Sequence, residues 1–217
     1  MTTDETTKDI VAAARSSVSV GRSRSAMSFS EYRFLVRSDL YRHDGSTGPS
    51  GFLRNMILNP GFEYTFWMRT SAFLSSRRIL RFGFGHFARL VLRHCSYKYG
   101  ISISWRTKIG PGLYIGHFGQ IVVHDRSVIG KNCNISQGVT IGQANRGPRK
   151  GYATIGDYVY IGPGAKIVGN VKVGNNVAIG ANCVVTKDFP DNAVVVGVPG
   201  RIISSEGSAG YINWTDY

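Results

Sequence analysis

From residue 103 onward, aliphatic side chains recur at every sixth position. Ile103, Ile109, Ile115 and Ile121 form one run, Ile129, Ile135 and Ile141 a second, and Ile155, Ile161, Ile167, Val173, Ile179 and Val185 a third. Glycine follows the aliphatic residue at 110, 116, 130, 142, 156, 162, 174 and 180. A helix repeats every 3.6 residues and a strand every 2, so neither explains a period of six. A parallel β-helix does: each hexapeptide makes one flat side and a turn, three close a triangular coil of about eighteen residues, and the aliphatic residues stack inside. Glycine and asparagine are then expected at the corners, where φ is positive. The spacing slips between Ile121 and Ile129. Between Ile141 and Ile155 about eight extra residues leave the coil as a basic, polar loop, 143–153.

The first half of the chain has a different texture. Residues 1–27 are rich in Ser, Thr and small residues and predict a flexible leader, with at most a short helix around Ile10–Arg15. From residue 28 to 99 the pattern is helical. Apolar positions three and four apart fill the stretch from Glu31 to Tyr41, Asn59-Pro60-Gly61 marks a break before a helix over 62–74, and a third helix over 79–92 is interrupted near Gly83 and Gly85. Basic and aromatic residues share that third helix. This suits a membrane surface, but the preferred reading is a helix packed on its neighbour with a solvated basic face. The domains expected are therefore a leader (1–27), a helical region (28–99), a β-helix (100–205) and a tail (206–217).

Composition narrows the class. The 217 residues are 42% hydrophobic, enough for a real core, which excludes disorder throughout. No apolar stretch is long enough to cross a membrane, and the acidic start Met1-Thr-Thr-Asp-Glu predicts no signal peptide. Three scattered cysteines (Cys95, Cys133, Cys183) suggest neither a disulfide framework nor a zinc site, and point to a cytoplasmic setting. No metal is expected, since no His, Cys or carboxylate pair has ligand spacing. The net charge of +13 is spread over both halves and favours anionic partners. With no recognised binding module beside it, it does not predict nucleic acid.

The repeat run Lys108-Ile-Gly-Pro-Gly-Leu-Tyr-Ile-Gly-His-Phe-Gly-Gln-Ile-Val-Val123, then Ile135–Gly142, Ile161–Gly169 and Gly197-Val-Pro-Gly-Arg-Ile202, resembles the hexapeptide-repeat acyltransferases, and within them the serine acetyltransferase branch. The resemblance covers roughly 98–205. The helical landmarks Ser38-Asp-Leu-Tyr-Arg42 and Asn59-Pro-Gly-Phe62 look closer still to bacterial polysaccharide-biosynthesis O-acetyltransferases. The fold implied is mainly β: a left-handed parallel β-helix of about five coils, with an N-terminal α-helical region, assembled as a homotrimer. The resemblance also implies acetyl-CoA as the acetyl donor.

Acetyl transfer to an alcohol needs a base for the hydroxyl proton, and neutral His suits that task near pH 7. By resemblance His117 matches the family's catalytic His. His124, beside Asp125 where the period slips, is the rival; His43, His86 and His94 look like ordinary surface or packing residues. Matching the repeats places coenzyme A contacts at Pro163 and Ala181, with Thr186, Lys187 and Arg201 near the phosphates or adenine. For Lys187 and Arg201, solvated surface charge is the competing assignment. Arg146, Arg149 and Lys150 in the loop are candidates to cover a neighbouring subunit's site.

Two departures bear on the acceptor. The family's Asp that orients the catalytic His is absent from Ser102-Ile-Ser-Trp105, where Ser102 or a backbone carbonyl is left to substitute. The acid before that His is Gly116, and the family's Arg-His pair aligns with Gly151-Tyr152, leaving Asp44 as a lone acid. Lost charge together with Trp105 and Tyr152 favours a neutral ring stacked on aromatics, and the expectation is a sugar or glycan acceptor in exopolysaccharide, capsule or lipid-linked glycan biosynthesis. Peripheral attachment at the cytoplasmic face of the inner membrane would go with it. L-serine, with cysteine biosynthesis, is the alternative, and a non-catalytic scaffold for an anionic polymer a lesser one.

Overall fold

The computed structural model describes residues 26–217; the leader up to residue 25, with the short helix expected around Ile10–Arg15, lies outside them. Four helices come first: α1 (Phe29–Asp44), α2 (Pro49–Leu58), α3 (Pro60–Ser76) and α4 (Phe84–Tyr99). Ser28 caps α1 in a capping box with Glu31, and Gly45 ends it in the left-handed conformation. Pro60 does not merely break a helix: it opens α3 at the position where a missing N–H is harmless. The helix expected over 79–92 is α4 and starts later than the pattern suggests, because 77–83 is a turn and Gly83 has φ +82°.

Fourteen short strands follow, β1 (Ile101–Ile103) to β14 (Arg201–Ser204). They stack as three sheets. The first face holds β1, β3 (Ile121–Val123), β6 (Thr140–Gly142), β9 (Lys166–Val168) and β12 (Val184–Val185). The second holds β2 (Lys108–Ile109), β4 (Val128–Ile129), β7 (Thr154–Ile155) and β10 (Lys172–Val173). The third holds β5 (Asn134–Ile135), β8 (Tyr160–Ile161), β11 (Ala178–Ile179), β13 (Val194–Val196) and β14. All pairings are parallel except the last, β13 with β14. The chain visits the faces in turn, as a parallel β-helix must.

The six-spaced aliphatics are inside: twelve of the thirteen are buried, and Ile109 packs against the core from its edge. Most repeats also turn a second side chain inward two positions earlier, a row that includes Leu113, Cys133, Val159, Ala165, Val177 and Cys183. Burial pushes the Cys133 thiol up to about 12. The glycines after the aliphatics are not corner residues with positive φ, which corrects the expectation. They are there because rungs approach closely: a Cβ on Gly110 would lie 2.6 Å from the Lys131 nitrogen, and one on Gly156 2.6 Å from the Gly174 oxygen. Positive φ falls instead on residues such as Asn132, Asn176, Asn182 and Asn192.

The helices seal the first rung through the landmark Ser38-Asp-Leu-Tyr-Arg42. Ser38 Oγ and Asp39 Oδ1 accept from the N–H groups of Gly112 (3.0 Å) and Leu113 (2.9 Å). Arg42 donates to the Gly112 carbonyl (3.2 Å) and to Asn134. Arg69 of α3 joins buried Asp39 (2.9 and 3.2 Å) and donates to the carbonyls of Ile109 (2.8 Å) and Gly110 (2.7 Å). Gly61 permits this approach, since any Cβ there would collide with the Ile115 carbonyl.

The tail is part of the body. Ser208 bonds Asn176 and the Tyr158 carbonyl, Tyr211 stacks on Tyr160 at 4.4 Å, and the Tyr211 carbonyl accepts from Asn134 (2.9 Å). Trp214 meets Tyr41 edge-on, and the Tyr217 hydroxyl donates to Asn132 (2.9 Å). The segment thus runs back from the last rungs to α1.

Candidate active site

Two corners of the coil carry the candidate residues. The corner from third face to first holds His117, between the bridge residue Tyr114 and β3. Later rungs place Gln137, Pro163 and Ala181 on the same edge. The hydrogen bonds Gly138 N–H to Gly119 (2.8 Å), Gly164 N–H to Gln137 (2.9 Å) and Asn182 N–H to Pro163 (2.8 Å) join one turn to the next. His117 is exposed and has no hydrogen-bond partner among the described residues; neither Ser102 nor a carbonyl orients it within the chain. Exposed Arg201 pairs with Val196 just beyond this edge, so His117, Pro163, Ala181 and Arg201 share one side of the molecule.

The corner from first face to second holds Trp105, His124, the loop 143–153, Thr186 and Lys187. Here the aromatics are already engaged. Trp105 lies between the guanidinium groups of Arg89 (5.9 Å) and Arg106 (4.9 Å). Tyr152 packs on the His124 ring at 4.6 Å, and its hydroxyl accepts from Arg126 (3.1 Å). His124 Nδ1 sits 3.2 Å from Asp125 and accepts from the Arg126 N–H, as a turn residue would. Arg149 is pinned to its own coil by Asp188 (2.6 Å) and the Asn170 carbonyl (3.2 Å), while Arg146 and Lys150 are exposed. Thr186 is exposed, and the Lys187 ammonium lies 5.7 Å from the Phe189 ring centre. Within one chain the first face therefore separates His117 from Trp105 and Tyr152.

Asp44 is not an open acid. It accepts from the Ser46 N–H (3.0 Å), from Asn55 (2.9 Å) and from Arg54. Burial pushes its carboxyl up, but these bonds and the Arg54 charge outweigh it and hold the group below the usual carboxylate range. Two residues escaped the sequence reading. A Cβ on Gly116 would meet the Tyr114 ring at 2.9 Å, so the phenol fills the space beside His117's neighbour. His43 packs on that ring at 4.8 Å and accepts from Asn59 at Nδ1 (2.8 Å), which leaves the proton on a buried Nε2 without a partner. Burial lowers its pKa to about 4, so the ring is neutral. With Arg42, Tyr114, Asn134, Tyr211 and Trp214 it lines a cavity of about 180 Å³. No local motif announces either residue, because their partners come from α1, α3 and the tail.

Residues 152–187 match the family described as bacterial transferase hexapeptide (six repeats). Over 179 residues the chain is 33% identical to a serine acetyltransferase of Synechococcus elongatus, covering 82% of this chain and 68% of that protein. It is 42% identical over 120 residues to a serine acetyltransferase of Staphylococcus epidermidis, which is 55% of this chain and 56% of that one, so it spans little more than half the length of this relative. Among solved structures it is similar to the Brucella abortus serine acetyltransferase in complex with coenzyme A (TM-score 0.68, 30% identity, 82% and 70% of the two chains). It is also similar to the Neisseria gonorrhoeae serine acetyltransferase in complex with serine (TM-score 0.66, 30% identity, 82% and 72%). The three parallel sheets and the N-terminal helices fit a left-handed β-helix of this kind.

These findings overturn the polysaccharide O-acetyltransferase expectation, since relatives and structural neighbours are consistently serine acetyltransferases. Within one chain, Trp105 and Tyr152 are packed against arginines on a different corner from His117 and form no platform beside it. Nor do the described residues include a helix long and apolar enough to cross a membrane.

Proposed function

The chain belongs to the serine acetyltransferase family of hexapeptide-repeat acyltransferases, and from that premise we propose that it transfers acetyl from acetyl-CoA to the hydroxyl of L-serine, with His117 as general base. It is an acetyl-CoA-dependent acyltransferase; the donor supplies an activated thioester carbonyl. The observation that carries the assignment of roles is the shared edge of His117, Pro163 and Ala181. His117 takes the hydroxyl proton as the serine oxygen attacks that carbonyl, and returns it to the departing sulfur, giving O-acetylserine and the free thiol. Pro163 and Ala181 line the path of the pantetheine arm and Arg201 stands beyond them for the phosphates or adenine, while Lys187 and Thr186, on the corner across the first face, would reach these groups from a neighbouring copy.

We read the functional unit as a homotrimer. The charge that the acceptor's carboxylate requires is missing beside His117, and exposed Arg146 and Lys150 on the loop corner meet that edge only from a neighbouring copy. Asp44, already engaged by Ser46, Asn55 and Arg54, would meet the serine ammonium only by giving up one of those partners. The deciding experiment measures thiol release from acetyl-CoA with L-serine, D-serine and a panel of sugar nucleotides. Turnover with L-serine alone supports the assignment; acetylation of a sugar in preference to L-serine overturns it.

A further inference from the structure

From Tyr64 to His124 the chain contains nine Lys and Arg and no Asp or Glu. Within that stretch the turn 77–83 and α4 expose their largest apolar side chains. Ile79 is 89% exposed, Phe84 69%, and Phe82, Phe87 and Leu90 between 61% and 64%. The inward side of α4 is made of Gly85, Ala88, Leu92 and Cys95, so small residues dominate the packed side near its start and bulky ones face out. The first turns of α4 thus depart from an ordinary surface helix, whereas Arg93, His94 and Lys98 face outward further along it. Arginines border the apolar residues: Arg81 lies 4.8 Å from the Phe82 ring centre, Arg93 is bonded to the Tyr97 hydroxyl, and Arg78 is exposed beside Ile79. None of these three guanidinium groups has a carboxylate partner among the described residues.

We propose that this face docks on the surface of an anionic lipid bilayer, a role beyond acetyl transfer to serine. Bulky apolar and aromatic side chains rimmed by arginine match the boundary between acyl chains and acidic headgroups: the rings enter the boundary and the guanidinium groups meet the phosphates. A second copy is the other candidate for an apolar face. Charge argues against two copies meeting through this same face, because that would bring two acid-free arginine clusters together. The lack of a membrane-crossing helix makes the attachment peripheral.

The test sediments the purified full chain with phosphatidylcholine vesicles, with and without phosphatidylglycerol. The expected result is binding only where phosphatidylglycerol is present, released by high salt. R78E/R81E and F84S/F87S are each expected to lower the bound fraction about 10-fold or more, with unchanged thermal melts. Equal binding to neutral vesicles, no binding, or variants that bind like the parent would overturn the proposal. So would a fall in assembly mass for F84S/F87S without any vesicle binding by the parent, which would give the face to a second copy.

Discussion

His117 and His124 show how little sequence distance says about a base. They stand on different corners, and only His117 shares an edge with Pro163 and Ala181. His117→Ala should lower kcat by about 10²–10⁴ while acetyl-CoA affinity stays within a few-fold, measured by thiol release and calorimetry. His124→Ala should leave kcat within the same order of magnitude, because its ring is engaged with Tyr152 and Asp125. His43 has a different consequence. Its folded pKa of about 4 lies below the ordinary 6.5, so as pH falls the unfolded chain takes the proton first. The stabilisation is full above about pH 6.5 and is lost progressively toward pH 4, by up to about 3 kcal/mol. Denaturant unfolding of His43→Phe beside the parent should show this slope in the difference between the two curves. Nothing in the sequence singled out His43, since Phe62, Tyr114 and Asn59 set its state from distant parts of the chain.

Among the elements, the join between helices and β-helix rests on Asp39 and Arg69, both buried. Asp39→Ala leaves the buried Arg69 guanidinium without its carboxylate and the Leu113 N–H without its acceptor, and should cost about 3–5 kcal/mol in a urea melt. Ile167→Lys, which puts an ammonium among fully buried aliphatics, should leave no soluble folded chain, checked by gel filtration and circular dichroism. The six-residue period made this second prediction possible from the sequence alone, because period and burial are one physical fact in a coil. The second inward row was hidden: Ala165, Cys133 and Cys183 are small and varied, and only the size of the coil shows that they must fill it. Part of the site's geometry was legible. The repeat puts His117, Pro163 and Ala181 on one edge, but periodicity alone did not show that Trp105 and Tyr152 stand on another corner of the same chain. Pro163 and Ala181 differ by one full coil, whereas Tyr152 enters at the end of the loop, on another corner.

As a whole molecule, the enzyme is expected to work as an assembly. Light scattering should give three chains per particle, and dilution that breaks the particle should abolish serine-dependent thiol release, because His117 and the loop corner of one chain lie on opposite edges of the first face. A β-helix has no intrinsic length: rungs contact only their neighbours, so coils can in principle be duplicated or lost without disturbing the others. The returning tail removes that freedom. It is fastened at one end to Asn176 and Tyr158, and at the other to Asn132 and α1. An added coil lengthens the stack by about 4.8 Å, roughly one and a half residues of extended chain. A duplicated repeat would therefore bring Tyr217 short of Asn132 and Trp214 short of Tyr41. The tail acts as a gauge, and a chain that grows by tandem duplication must lengthen this strap in the same event or lose its closure.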